Sequence, residues 1–519
     1  MRSLVLILLP FFSDGANILA LLGMPSSSHH IWNTALLYKL AENGHNLTLL
    51  SVDLPSPTEA VPKNVHFIHL EKTYETISNA YKGNFSVEDY IRYRGIGSIK
   101  MMQEYALVIA KGQAKSSGYK TLMDYPNNFK FDLVLVDYTM GPTILGFVHR
   151  FKYPPLIGMT AFLNSPNTID LIGHHLFPGY IPHWSTIYDT KMTFMERLEN
   201  TFIHLFDCFY RNFVIIPKLD EMFRPISLEN TPYLGDLQKL AKIAFVNSHP
   251  AINYPESLPP NVIEVGGMHI KDPKPLPRNI EQFLSKGEKG AIFIAFGTSF
   301  NSEMLRGRIN NAIFEVIKDL PQYNFLLKFD LKEHNHTIPE NVLIQPFFSQ
   351  RDILNHPNLK AFVTHSGGLS TQEATWFGVP TVGFAIFVDQ FRNLKKTVLS
   401  GAGVELELLD INTDNLRSAI LEVAENPKYK KSAKLRSKRF RSQQIRPLDK
   451  AVWWIEYVLT DPNLTHILSP AITMNVFSAL SLDVLAVFLV VVVVLLLILF
   501  FIVRKVFGYA RKSKKLKVT

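Results

Sequence analysis

Short apolar runs, each followed by small polar residues and then by apolar positions at helical spacing, recur along the 519-residue chain. The first run, "NILALLGM", begins at Asn17, reads as a strand and leads into "PSSSHH". Trp32, Leu36, Leu37 and Leu40 then return at helical intervals, Gly44 stops the pattern, and "NLTLLSV" reads as the next strand. Strand, helix and strand in that order make the unit of parallel α/β sheets. "KFDLVLVD" (130–137) and "PLIGMT" (155–160) predict further strands. A matching unit opens at Ala291–Phe296 and leads into "GTSFNSE"; "YNFLLKF", "VLIQPF", "LKAFVTH" and "PTVGFAI" then predict buried strands with helices between them.

The length requires at least two cores. The pattern predicts two doubly wound α/β domains, residues 16–265 and 266–460. The proline-rich stretches "HPAINYPESLPPN" and "KDPKPLPRN" read as the linker between them. Ligands in such sheets bind beyond the carboxyl ends of strands, where both small-residue loops fall. From 163 to 235 no clean strand is legible. There "MTFMERLENTFIHLFDCFYRNFV" repeats apolar residues at helical intervals, and packing into a core is the expectation. The same stretch also suits a cover over an acceptor pocket or a contact with a membrane surface.

Hydrophobic residues make up 47% of the chain and charged ones 19%, and both ends carry an apolar excess. Residues 1–15 combine an arginine, the apolar run Leu4–Phe12 and small residues, which fits a secretory signal peptide. Val484–Val503 holds no charge and no proline; as a helix it spans about 30 Å, a bilayer's hydrocarbon core. Residues 461–483 are then a lumenal juxtamembrane segment. The tail 504–519 has seven basic and no acidic residues, so it is expected in the cytosol and the preceding domains in the lumen, as a single-pass type I membrane protein. That tail accounts for most of the net charge of +9, so the folded part has no basic excess and nucleic acid is not an expected partner. Lys515 and Lys517 near the carboxyl end resemble a dilysine signal for retrieval to the endoplasmic reticulum membrane. The single cysteine, Cys208, permits neither an internal disulfide nor a cysteine metal site. Asn46, Asn84, Asn335 and Asn463 stand in sequons that suit a lumenal domain, Asn46 least because it starts a strand.

Chemistry is densest at "THSGGLSTQE" (364–373). Thr364 and His365 end a strand, and Ser366, Gly367 and Gly368 lack bulk. Ser370 can cap the next helix, whose N-terminus presents free N–H groups and partial positive charge to a phosphate. Ser370-x-x-Glu373 also matches a capping box, which would make Glu373 structural. The longer stretch "FFSQRDILNHPNLKAFVTHSGGLSTQEATWFGVPTVGFAIFVDQ" (347–390) resembles the signature of the UDP-glycosyltransferases, and its "HSGGLSTQEA" wording is similar to animal, insect-type members. The resemblance extends over nearly the whole chain. It implies a GT-B fold, two Rossmann-like domains facing across a cleft, the first binding the acceptor and the second the UDP-sugar.

Residue by residue, the resemblance implies that Phe347 stacks on uracil, where the family usually has tryptophan, and that Gln350 bonds the uridine. Glu373 would accept both ribose hydroxyls. His365 and Thr298 would hold the diphosphate against the backbone of Gly367 and Gly368, and Asp389 and Gln390 would grip the sugar. Ser366 stands where the family commonly has glycine. In "SSSHHIWN" the family's catalytic base, fifteen residues before the glycine of a Gly-His pair, falls on His29, and its carboxylate partner falls on Asp137. A histidine is suited to take a hydroxyl proton near neutrality, and a carboxylate orients it and stabilises its charged form. His30 and Asp132 are the expected bystanders.

The implied function is inverting, metal-independent transfer of a sugar from a UDP-sugar to a hydroxyl of a small lipophilic acceptor, with glucose ahead of glucuronic acid. No cofactor is expected, the UDP-sugar being a co-substrate, and no Asp-x-Asp pair stands at a strand end to hold a metal. A homo-oligomer is left open. A dinucleotide oxidoreductase would need GxGxxG after its first strand, which neither loop supplies. A membrane-anchored lipophile-binding protein with an inactive transferase fold is the rival of a different class.

Overall fold

In the computed structural model, residues 15–81, 93–173, 176–297, 307–329, 338–386 and 388–516 are described. The long apolar runs form strands buried on both faces, the signature of a parallel sheet covered by helices on each side. The first sheet comprises β1 (Asn17–Leu22), β2 (Asn46–Ser51), β3 (Val65–His69), β4 (Leu133–Asp137), β5 (Leu156–Thr160), β6 (Ala241–Val246) and β7 (Val262–Glu264). The second comprises β8 (Ala291–Ala295), β9 (Asn324–Lys328), β10 (Val342–Gln345), β11 (Leu359–Thr364), β12 (Thr381–Gly383) and β13 (Gly403–Glu405). Their orders are β3-β2-β1-β4-β5-β6-β7 and β10-β9-β8-β11-β12-β13. The order reverses between β1 and β4 in one sheet and between β8 and β11 in the other, and ligands of doubly wound sheets bind at such switch points. Leu19 pairs with Thr48 on one side and Val134 on the other, so β1 is central.

The helices that matter for the site are α1 (Ser27–Glu42), α2 (Ile96–Lys115), α3 (Phe194–Tyr210), α4 (Gln350–Leu354), α5 (Gly368–Phe377), α6 (Gln390–Leu399) and α7 (Pro447–Thr460). Alternate residues of β1 feed different cores. Leu19 and Leu21 pack with Tyr119 and Phe147, whereas Ile18 and Ala20 pack with Trp32 and Leu36 of α1.

All nine strands predicted from the sequence form, and β3, β6, β7 and β13 join them. Two of these, "VIE" and "GVE", are three residues long and carry too little pattern to be read. Their existence corrects the linker. "HPAINYPESLPPN" is a loop between β6 and β7, and β7 pairs with β6 through Ala244 and Val262, so the chain stays in the first sheet through Glu264. The span 266–460 also ends on the other lobe. Ala451, Ile455 and Val458 of α7 share a core with Ile18, Leu36 and Leu40, and Glu456 Oε1 lies 2.8 Å from His45 Nε2.

The aromatic helix α3 corrects the expectation of core packing. Asn200, His204 and Asp207 are its buried residues, with Ile203, while Phe194, Leu198, Phe202, Leu205 and Phe209 face outward. Periodicity places apolar residues on one face but does not say which way that face points.

Residues 469–519 form a separate unit. Within it, helix α8 (Leu482–Leu516) contains the predicted span 484–503, and its apolar part of bilayer length is Leu482–Tyr509. The helix continues past Arg504 and Lys505 because both residues favour helix. The signal-peptide stretch before Gly15, Thr298, Asn84, Asn335 and Lys517 lie outside the described residues; Lys515 lies in the last turn of α8.

Candidate active site

The first constellation sits at the β1/β4 switch point. The chain turns from β1 into α1 at Ser26, whose backbone N–H donates to Asp53 Oδ2 at 3.1 Å. His29 therefore lies in the first turn of α1, and Asn33 sits one turn further on the same face. Asp137 ends β4 and points at both. His29 Nδ1 lies 2.8 Å from Asp137 Oδ2, Asn33 Nδ2 donates to the same oxygen at 3.0 Å, and Thr139 N donates to Oδ1 at 3.1 Å. Burial pushes the Asp137 carboxyl up, but the electrostatic pull of His29 and these hydrogen bonds outweigh it and hold the carboxyl below its usual range. An ionised Asp137 takes the Nδ1 proton as acceptor, which leaves Nε2 as the basic nitrogen. That Nε2 is buried and has no hydrogen-bond partner within the protein. Phe162, after β5, packs edge-on against the ring with centroids 4.9 Å apart.

Neither expected bystander hydrogen-bonds to this pair. Both His30 nitrogens are buried without a partner, its ring lies 6.2 Å from Phe67, and burial lowers its pKa. Asp132 Oδ2 accepts from Asn17 N at 2.8 Å and ties the starts of β4 and β1 together.

The second constellation sits at the β8/β11 switch point. His365 follows β11 with its ring wedged between Gly297 and Gly367. A Cβ on Gly297 would meet the ring at 2.7 Å and 2.8 Å, and one on Gly367 would collide with Nε2. Burial and the nearby Lys328 push the His365 pKa down to about 4, so it is a neutral imidazole. Lys328, at the end of β9, donates to Gly297 O at 2.9 Å and brings a cation to the same loop.

Gly367, not Ser370, caps α5, and having no side chain it gives the first N–H groups of that helix no side-chain cap. The capping-box reading therefore fails. Ser370 Oγ instead accepts from Gln350 Nε2 at 3.1 Å, and the same amide donates to Glu373 Oε2 at 2.7 Å. Burial pushes the Glu373 carboxyl up to about 7. Phe347 precedes this pair with 73% of its surface exposed, leaving a ring face open beside them. Ser366 adopts φ 62° and Val388 φ 56°, the left-handed region that glycine favours. Strain of this kind concentrates where function over-determines the backbone.

Asp389 closes the arrangement. Its carboxyl is pushed up to about 6 by burial, against the pull of Asn393 Nδ2, which donates to Oδ2 at 2.8 Å, and of His29 across the cleft. Asp389 is thus within electrostatic reach of the first constellation. Gln390 spends its amide oxygen on Ile386 N at 2.8 Å and so supports the loop that carries Asp389. Between the lobes lies a cavity, partly open to solvent, bordered by Met102, Met140, Phe162, Trp184, Asp389 and Arg392. Arg392 NH2 reaches Glu256 Oε1 at 3.1 Å, and Asn164 Nδ2 donates to Glu256 Oε2 at 2.7 Å. Asn33, Thr139, Phe162, Lys328, Arg392 and Glu256 were not singled out in the sequence. Asn33 was within reach of an i, i+4 argument from His29; Glu256 was hidden in the stretch read as linker.

Two facing Rossmann-like lobes with these constellations at their switch points define a GT-B glycosyltransferase. The family model described as "UDP-glucoronosyl and UDP-glucosyl transferase" matches residues 20–517, and the chain belongs to that family. It is 30% identical over 492 residues to UDP-glucosyltransferase 2 of Dactylopius coccus, covering 92% of this chain and 90% of that protein. It is 28% identical to UDP-glucuronosyltransferase 2C1 of Oryctolagus cuniculus, covering 89% and 93%. The fold is shared with the glycosyltransferase VinC, solved in complex with DTDP, at a TM-score of 0.57 and 16% identity over 86% of this chain and 99% of that one. The protein is an enzyme that transfers a sugar from a UDP-sugar donor, and α8 fits a membrane anchor.

Proposed function

We propose that the enzyme transfers glucose, with inversion, to a hydroxyl of a small lipophilic acceptor, His29 acting as general base oriented by Asp137. The observation that carries this reading is the buried, unpartnered His29 Nε2, set by the 2.8 Å Nδ1 contact to an ionised Asp137. Nε2 takes the acceptor's proton as its oxygen attacks the anomeric carbon. The bond from that carbon to the β-phosphate oxygen breaks, and UDP departs on the opposite face.

The leaving charge is met by the N–H groups opening α5, by Lys328 and by His365 as a neutral donor, with no metal in the scheme. Thr298 would join them. Phe347 would stack on uracil, Gln350 would bond it, Glu373 would bind the ribose, and Gly367 and Gly368 would admit the phosphates. Asp389, supported by Gln390, would hold the sugar. The apolar lining given by Met102, Met140, Phe162 and Trp184 favours a lipophilic acceptor. Glucose follows the insect relative's name, and the mammalian relative makes glucuronic acid the alternative. The proposed setting is the endoplasmic reticulum membrane, with the lobes and the exposed Asn46 and Asn463 in the lumen.

Purified full-length protein given UDP-glucose or UDP-glucuronic acid with a panel of phenols should release UDP and form a product with glucose. His29→Ala should lower kcat by ~10²–10⁴-fold, the usual worth of general base catalysis, while leaving UDP affinity within error. Absence of turnover with every donor would return the chain to the lipophile-binding reading, and lost UDP affinity would refute the role of His29.

A further inference from the structure

Behind Glu373 stands a histidine that the proposed chemistry does not use. His269 lies in the segment after β7, where the chain leaves the first sheet for the second. Gln372 pins that segment to α5 by accepting from Gly267 N, and Glu373 is the next residue along the helix. The imidazole is enclosed, with 1% of its side chain exposed, and neither ring nitrogen has a hydrogen-bond partner. Glu373 Oε1 stands 3.9 Å from its Nε2, short of hydrogen-bond contact. Burial pushes the His269 pKa down to about 3, so the ring is neutral and carries one N–H. An enclosed donor without an acceptor is costly, and a ligand state that supplies an acceptor removes the cost.

The acceptor sites on Glu373 leave room for it. An ionised carboxyl offers about four lone-pair sites on its two oxygens. Gln350 Nε2 takes one on Oε2 at 2.7 Å, and among the described residues no hydrogen bond reaches Oε1. Two ribose hydroxyls would take two more, which leaves one site on the side of His269. Glu373 keeps 17% of its side chain open, so a nucleotide can touch it while His269 stays behind. In the ligand-free protein Glu373 holds its proton near neutrality and is a weak acceptor; ionised under a ribose, it becomes a strong one.

We propose that His269 is a positioning residue of the donor site: its Nε2–H donates to Glu373 Oε1 when a nucleotide is bound, and so holds the carboxylate in the orientation that accepts the ribose hydroxyls. The inference rests on the reading of Glu373 as the ribose ligand given above. Closing the gap to the usual distance of about 2.9 Å takes a shift of roughly 1 Å. Because His269 belongs to the segment that leaves the first sheet, the bond also ties nucleotide binding to the junction between the lobes.

Calorimetry on the full-length protein in detergent, with UDP against 2′,3′-dideoxy-UDP, tests this. UDP should bind the wild type more tightly than the analogue, which lacks both hydroxyls. His269→Leu removes the donor and fills its space with apolar atoms; it should cut that preference roughly tenfold, the worth of one hydrogen bond to a charged group. His269→Gln, whose amide nitrogen can stand near the place of Nε2, should restore most of it. A folding defect weakens both nucleotides together and leaves their ratio alone, so the ratio reads positioning. His269→Met removes the donor in the same way if leucine does not fold. An unchanged ratio in the apolar variant, with the ratio lost in Glu373→Gln, would overturn the role of His269 and keep that of Glu373. An unchanged ratio in Glu373→Gln would refute the ribose reading itself, and the proposal with it. A loss as deep with glutamine as with leucine would assign the effect to shape and overturn the hydrogen bond.

Discussion

Two carboxyls in the donor lobe are held away from their ordinary protonation. Burial pushes Glu373 up to about 7 and Asp389 up to about 6. A carboxyl whose folded pKa is raised keeps its proton in the folded state after the unfolded state has lost it. From Glu373's ordinary 4.5 up to about 7, therefore, rising pH costs the ligand-free protein stability. Ribose hydroxyls donating to Glu373 would favour its ionised form and drive the proton off. Calorimetry of UDP binding at pH 6.5, in two buffers of different ionisation enthalpy, should show greater proton release by the wild type than by Glu373→Gln. Equal release would separate Glu373 from the nucleotide. Ser366 adds a second local tension, because a seryl Cβ at φ 62° is tolerated only where its surroundings insist. Its carbonyl accepts from Asn393 Nδ2 at 3.2 Å, and that same amide holds Asp389.

At the scale of elements, α5 joins the two lobes as well as opening towards the phosphates. Gln372, fully enclosed, accepts from Gly267 N at 2.9 Å and donates to Asn247 O at 3.1 Å. Both backbone groups belong to the segments following β6 and β7. Gln372→Ala should strand two buried polar groups and cost about 2–6 kcal/mol, from roughly 1–3 kcal/mol for each. Denaturant midpoints read this directly, and a loss under about 0.5 kcal/mol, within the usual range for surface changes, would mean that water replaces the amide. Helix α7 makes the second crossing, returning to pack against α1, so the chain crosses between lobes twice. Such double tethering lets the lobes be positioned by packed helices rather than by one linker.

The whole molecule combines a two-lobed catalytic unit with a separate membrane-length helix and a basic tail. The proposed orientation, lobes in the lumen and tail in the cytosol, predicts that a glycan is attached at Asn463, removed by Asn463→Gln with a loss of mass on gels. Changing Lys515 and Lys517 to serine should let the protein mature past the endoplasmic reticulum, read as glycan resistance to endoglycosidase H. Unchanged sensitivity would dismiss the retrieval signal.

Alternation, helical spacing and small-residue loops made nine strands, the α/β class and the bilayer-length segment legible from the chain, because those patterns report local geometry and burial. The 347–390 stretch, through its resemblance to the UDP-glycosyltransferase signature, supplied the residues proposed for the donor site. What the chain could not announce was direction and company. The outward turn of α3 depends on which face meets solvent, and the convergence of His29 and Asn33 with Asp137, Phe162 and Asp389 depends on partners more than a hundred residues away. Periodicity is a property of neighbours in sequence. Proximity across a cleft is a property of packed sheets, and only the folded chain specifies it.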